Sequence, residues 1–271
     1  MLKGSHLEEI TKNKKEAQKE VAQILTRQIQ FDWANPKDFW IGYDRKSLVD
    51  LVAQIAIEIG ITNEQAKKIS VVFADCKPKP TGQVAIATAF PHFDILANGI
   101  HQLSRCTIII NRSRKAFNMQ LENQQKRKTT AKQSSPRIPY SGNLSCRMDS
   151  TREFLLWMLT EELYHAKLFC MAKTIENDAA VNQRYINTRK KKGVIFSDVY
   201  ENSYQEMTVA RNCLLLLAKF IPQKAIYFKR IYQESLKTGS RPSPSIPPDV
   251  LKAMYIPTGF SLKTLIDLYF R

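Results

Sequence analysis

Residues 150–172 place the tightest constraint on the fold. Ser150 and Glu153 form the capping-box pattern that opens a helix. Phe154, Leu155, Leu156, Trp157, Met158, Leu159, Leu163, Leu168, Phe169 and Met171 then follow on nearly every side of it. A helix that is apolar all round belongs in the middle of a domain. This one nevertheless carries Thr160-Glu161-Glu162-Leu163-Tyr164-His165-Ala166, two carboxylates and an imidazole within about one turn. Charges in such surroundings are expensive unless they are paired, bound to metal or used in chemistry.

The elements around that helix set the fold class. Residues 5–29 read as a charged helix with a thin apolar stripe, followed by a loop with Trp33, Pro36 and Trp40. Asp44 is a cap for a second helix, in which Leu48, Leu51, Val52, Ile55 and Ile59 recur at helical spacing until Gly60. Ile69–Phe73 reads as a strand, and Pro78, Pro80 and Gly82 as a turn. Residues 83–90 alternate with strand period, and Cys106–Ile110 is a β-branched third strand buried on both faces. A basic loop then runs to about residue 149. After the buried helix, Asp198 and Glu201 repeat the capping-box pattern before a helix reaching Phe220. A helix near 224–236, a Pro-rich linker over 241–248 and a short amphipathic tail complete the series.

This order predicts an α+β fold rather than an alternating βαβ series. A small, mostly antiparallel sheet packs on the buried helix, and the next helix carries Glu206. The expected division is an N-terminal charged helix and linker (1–43), an α+β core (44–236) and a C-terminal linker with a short helix (237–271). The two flanking segments read as docking extensions that the core does not need. No internal repeat, Gly-rich phosphate loop or G-x-S-x-G elbow occurs.

On the buried helix Glu161 and His165 are four residues apart and share a face, and Glu162 and His165 are three apart. Carboxylate oxygens and an imidazole nitrogen are ordinary zinc ligands and also suit iron or manganese. Glu206 heads the inward stripe of Ala210, Cys213, Leu214 and Leu217, so it too needs a partner. Glu161, His165 and Glu206 can together supply three metal ligands and leave a position for water, with Glu162 as general base on that water. His6, His92 and His101 are isolated and are left out of the site.

These residues resemble the zincin class of metallopeptidases, in its gluzincin type, whose H-E-x-x-H motif lies on a helix behind a small sheet. Glu162 corresponds to the Glu of that motif and His165 to its final His. Glu206, with Ala210 one turn on, resembles the downstream ligand. The resemblance implies a zincin-like core over about 44–220 and a zinc-dependent hydrolase of peptides. The first His of the motif is Glu161 here, which adds negative charge and makes the metal a weaker Lewis acid. A degenerate site that no longer hydrolyses is therefore the companion expectation. Two other readings stand beside it. Glu161 and Glu162 are solvated acids with His165 bonded to a backbone carbonyl, or Glu162-x-x-His165 is half of a di-iron motif. The second lacks a second Glu-x-x-His, and the strands before residue 111 argue against a helical bundle.

Net charge is +16, and part of it is concentrated. Eight basic residues against one acid lie between Arg112 and Arg137, including Lys126, Arg127 and Lys128, and a second run is Arg189-Lys190-Lys191-Lys192. Both segments read as exposed loops able to hold a polyanion such as nucleic acid through phosphate contacts. The alternative to an enzyme is accordingly a basic scaffold in a nucleic-acid-associated or other large complex, contacting partners through its N- and C-terminal extensions. Five scattered cysteines without a C-x-x-C pair indicate no disulfide framework and an intracellular, reducing compartment. No apolar run has the length of a membrane span. Glu8 and Glu9, with no apolar core beside them, speak against a signal peptide.

Overall fold

The computed structural model describes residues 3–32, 43–74, 87–111, 143–191, 203–245 and 247. In chain order these form α1 (Lys3–Gln28), β1 (Ile29–Asp32), α2 (Arg45–Glu58), α3 (Asn63–Ala66), β2 (Ile69–Ala74), β3 (Ala87–Ile95), β4 (His101–Asn111) and β5 (Asn143–Arg147). There follow α4 (Thr151–Ala172), α5 (Ile175–Lys191), α6 (Tyr204–Phe220), a 3-10 turn (Pro222–Lys224), α7 (Ala225–Thr238) and β6 (Arg241–Ser245). The class is α+β, as expected. Among the described residues no helix is long and apolar enough to cross a membrane.

The main sheet has the order β1-β2-β4-β3. It is mixed rather than mostly antiparallel: β1–β2 and β2–β4 are parallel, and only β3–β4 is antiparallel. The physical reason lies in the connections. Strands joined through a helical crossover, as β1 and β2 are through α2 and α3, come back in the same direction. β3 and β4 are joined by a tight turn in which the Leu96 N–H donates to the Ile100 carbonyl and Gly99 takes φ 79°.

The core forms where α1 and α4 pack on the sheet, α2 packs against both of these helices, and α6 closes over α4 with α7 against α6. On β2 and β4 the residues Val71, Phe73, Cys106, Ile108 and Ile110 are buried, while Thr107 and Ile109 between them are only half-buried. The third strand is thus fully buried on one face, not on both. Val21 and Leu25 of α1 are part of the same core, and β1 pairs with β2 with Phe31 stacked on Phe73 at 5.1 Å. α1 and β1 thus contribute side chains and a strand to the core. The strand expected over 83–90 is described from Ala87 and runs on to Ile95, so His92 and, one strand later, His101 both lie in the sheet.

Three elements appear where loops were expected: β5, which occupies 143–147 within the stretch read as a basic loop to residue 149, and α5 and β6. α5 escapes a hydrophobic reading because Ile186 is its one buried residue. It is held by its ends: Thr174 Oγ1 accepts from the Asn177 N–H, with Glu176 and Asp178 in the first turn and Arg189, Lys190 and Lys191 in the last. That distribution of charge suits the helix dipole.

Residues 241–245 of the Pro-rich stretch form β6, which pairs in parallel with β5. Prolines at alternate positions, Pro242 and Pro244, put every missing donor on one edge of the strand, while Arg241, Ser243 and Ser245 share the other. A two-stranded sheet tolerates that arrangement, because each strand has only one partner.

Candidate metal centre

α4 begins as the sequence implies, with Ser150 Oγ accepting from the Glu153 N–H at 3.2 Å. The reciprocal half of the capping box is displaced, since the Glu153 carboxylate accepts from the Asp149 N–H and pairs with Lys224 at 2.7 Å. Residues 198 and 201, read as the next cap, lie outside the described residues. α6 is capped by Ser203, whose Oγ accepts from the Glu206 N–H. Glu206 thus sits in the first turn of α6, where an acid is favoured by the helix dipole.

α4 and α6 bring Glu161, His165 and Glu206 together, and one donor atom from each lies within 4.8 Å of the others. Glu206 Oε1 is 3.4 Å from His165 Nε2. Two ligands along one edge of a tetrahedral zinc site, at bond lengths of about 2.0–2.1 Å, stand roughly 3.3–3.4 Å apart. Trp157 Nε1 donates to Glu161 Oε2 at 2.9 Å, which fixes the carboxylate on its own helix.

A further residue completes the cluster. Arg241, from β6, donates through Nη2 to Glu161 Oε1 at 2.6 Å and to Glu206 Oε2 at 2.8 Å. No spacing rule places it there. The only sequence signal was the surplus of buried acid, which demands a cation from somewhere.

Glu162 is buried beside this group, and its carboxyl is held well above the usual carboxylate range. Burial is the main cause, followed by the charges of Glu161 and Glu206. A backbone hydrogen bond from Ala89 on β3 and the charge of Arg241 work against them.

The residues line a cleft of about 740 Å³ between β3, α4, α5, α6 and β6. Its α5 wall is polar. Asp178 accepts from Gln205, and burial raises its carboxyl against the pull of Gln205 and His165. Among the described residues, four carboxyl groups (Glu161, Glu162, Asp178, Glu206) therefore line the cleft with one permanent cation, Arg241. The donor set and this preponderance of carboxyl groups both fit a divalent ion.

Of the basic residues expected to bind polyanions, the described ones, Arg189, Lys190 and Lys191, do not line this cleft. Lys126, Arg127, Lys128 and Lys192 lie outside the described residues. Arg189, Lys190 and Lys191 end α5 rather than forming a loop, and Arg189 is half-buried, donating to the Gly239 carbonyl at 3.0 Å. That carbonyl follows the last turn of α7, where orphaned acceptors collect and a guanidinium is a natural partner.

Comparison with protein-family models, with curated proteins and with solved structures finds no match.

Proposed function

We propose that this chain is a zincin-like, metal-dependent hydrolase of extended peptides. Glu161, His165 and Glu206 hold a divalent ion, zinc first among the candidates, and Glu162 serves as base. The carrying observation is the convergence of those three donors in a cleft that also contains Glu162. A divalent ion held there supplies Lewis acidity and lowers the pKa of its water.

The chain's own groups account for the rest. Glu162 Oε is a proton acceptor whose basicity is raised by burial and by its acidic neighbours, the direction that suits a general base. The Ala89 N–H keeps that carboxyl in one orientation. Ala87, Thr88 and Ala89 line the cleft along the side of β3 that no other described strand covers. An extended peptide backbone can add to such an edge and lie across the acids. Asp178, Asn182 and Gln205 face it from the opposite wall, so polar substrate groups find partners there.

The test is metal analysis with activity. Chelator-treated protein incubated with zinc should take up about one ion per chain, and His165→Ala should lose it while remaining folded by circular dichroism. Glu162→Gln should keep the ion and lose peptide hydrolysis. Wild-type protein that stays metal-free after zinc incubation sinks the reading. It would favour the scaffold alternative, which draws on one observation: Arg241 already offers a cation to both acids.

A further inference from the structure

Glu161 is the weak point of the metal site. Two carboxylates and a neutral imidazole give the ligand set a charge of −2, where a set with His in place of Glu161 would carry −1. Arg241 changes this sum. Its guanidinium is always charged, its side chain is 11 % exposed, and one nitrogen touches both acidic ligands. With Arg241 counted, the cluster returns to −1.

We infer that Arg241 is a positioning residue whose charge compensates Glu161, so that a Glu-Glu-His cluster with an arginine behind it keeps the electrostatics of a singly acidic site. The inference rests on the metal-site reading above. The oxygens are divided in a way that lets both cations coexist. Glu206 gives Oε2 to Arg241 and has Oε1 beside His165, and Glu161 gives Oε1 to Arg241 and Oε2 to Trp157. A carboxylate has about four lone-pair sites, so each acid retains acceptor capacity after these contacts. The same bonds hold each carboxylate in one rotamer, as partners behind a metal ligand commonly do. β6 can deliver the arginine because its register with β5 is set by Asn143↔Arg241 at the start of the strand pair.

Compensation makes a prediction that a merely structural salt bridge does not. Glu161→His, with Arg241 left in place, removes a negative charge and leaves the guanidinium facing the metal position with Glu206 as the one acidic ligand that contacts it. Zinc affinity should fall by about tenfold or more. Removing the guanidinium in the same background, as Glu161→His/Arg241→Met, should restore most of that loss. Glu161→His/Arg241→Lys keeps the charge and should stay weak. Arg241→Gln replaces Arg241→Met if the latter does not fold, because the amide keeps donors without the charge.

Zinc affinities by competition with a chromogenic chelator, with melting temperatures beside them, decide the matter. Recovery in the Met or Gln double variant but not in the Lys one supports compensation. A double variant as weak as Glu161→His, or equal recovery with Lys, overturns it. Absence of zinc binding in the wild type overturns the metal-site reading itself, and this inference with it.

Discussion

Glu162→Gln offers a measurement of the acid at the centre of the site. The side chain is 8 % exposed, and its carboxyl is pushed well above the ordinary range by burial and by Glu161 and Glu206. Gln is nearly isosteric and keeps a carbonyl oxygen for the Ala89 N–H, so the substitution removes little besides titration and charge. A carboxyl whose folded-state pKa is raised binds its proton more tightly in the native state. Its contribution to stability is fully present below the unfolded value of about 4.3 and is lost as pH rises through the folded value. The loss amounts to about 1.4 kcal/mol for each pH unit between the two values.

Gln does not titrate, and every other group is common to both proteins. The stability difference should therefore move steadily in favour of Glu162→Gln from about pH 4.3 upward and level off above the folded pKa. Urea denaturation in chelator at about pH 4.5, 5.5, 6.5 and 7.5 reads it directly. Saturating zinc should flatten the trend, because a divalent ion beside the carboxylate favours its charged form. A difference that stays constant with pH refutes the argument. An acid that destabilises its own fold at neutral pH and is relieved by metal is what a functional carboxylate looks like.

Two other outcomes follow from the same physics. Arg189 donates to the Gly239 carbonyl and lies 5.8 Å from the Tyr185 ring centroid, so Arg189→Met should cost about 1–3 kcal/mol in urea denaturation. Lys190→Met and Lys191→Met, on the exposed last turn of α5, should stay within about 0.5 kcal/mol. Asp149 is pushed up by burial, but hydrogen bonds from Arg147 and Lys224 outweigh that and hold its carboxyl below the ordinary value. Stability from this group is present above the ordinary Asp value of about 3.9 and is lost as pH falls below it. Lys224→Met should accordingly flatten the acid limb of a melting-temperature profile.

Much of the fold could be read locally. Asp44 caps α2 as expected, with the Ser47 N–H at 2.7 Å, and Gly60 ends that segment at φ 71°. The apolar run of α4 lands in the core, with Phe154, Leu155, Leu156, Trp157 and Leu159 all buried. The segments that escaped are those whose order comes from elsewhere. α5 has too few apolar residues to show a period, and β6 has prolines that mimic a linker. β1 is a four-residue strand whose identity depends on finding β2 beside it. Short edge strands carry little pattern of their own, because pairing and burial specify them more than propensity does.

The candidate site divides along the same line. Helix geometry alone puts Glu161, Glu162 and His165 within one turn, so their nearness is a property of the sequence. Glu206 lies in the first turn of α6, but the cap that sets it there is Ser203 and not the Asp198 read from the sequence. Whether Glu206 reaches His165 depends on how α6 crosses α4, which no local rule contains. Arg241 is the extreme case: it meets Glu161 across 80 residues of chain, from a strand whose partner is β5. Glu161, Glu162 and His165 are legible as neighbours from their spacing, because a helix places its side chains by a fixed local repeat. Tertiary structure alone decided the direction of the strands, the closing of the cleft and the arginine that joins its two acids. Those features arise from the burial of apolar faces and the pairing of buried charge between segments far apart in the chain.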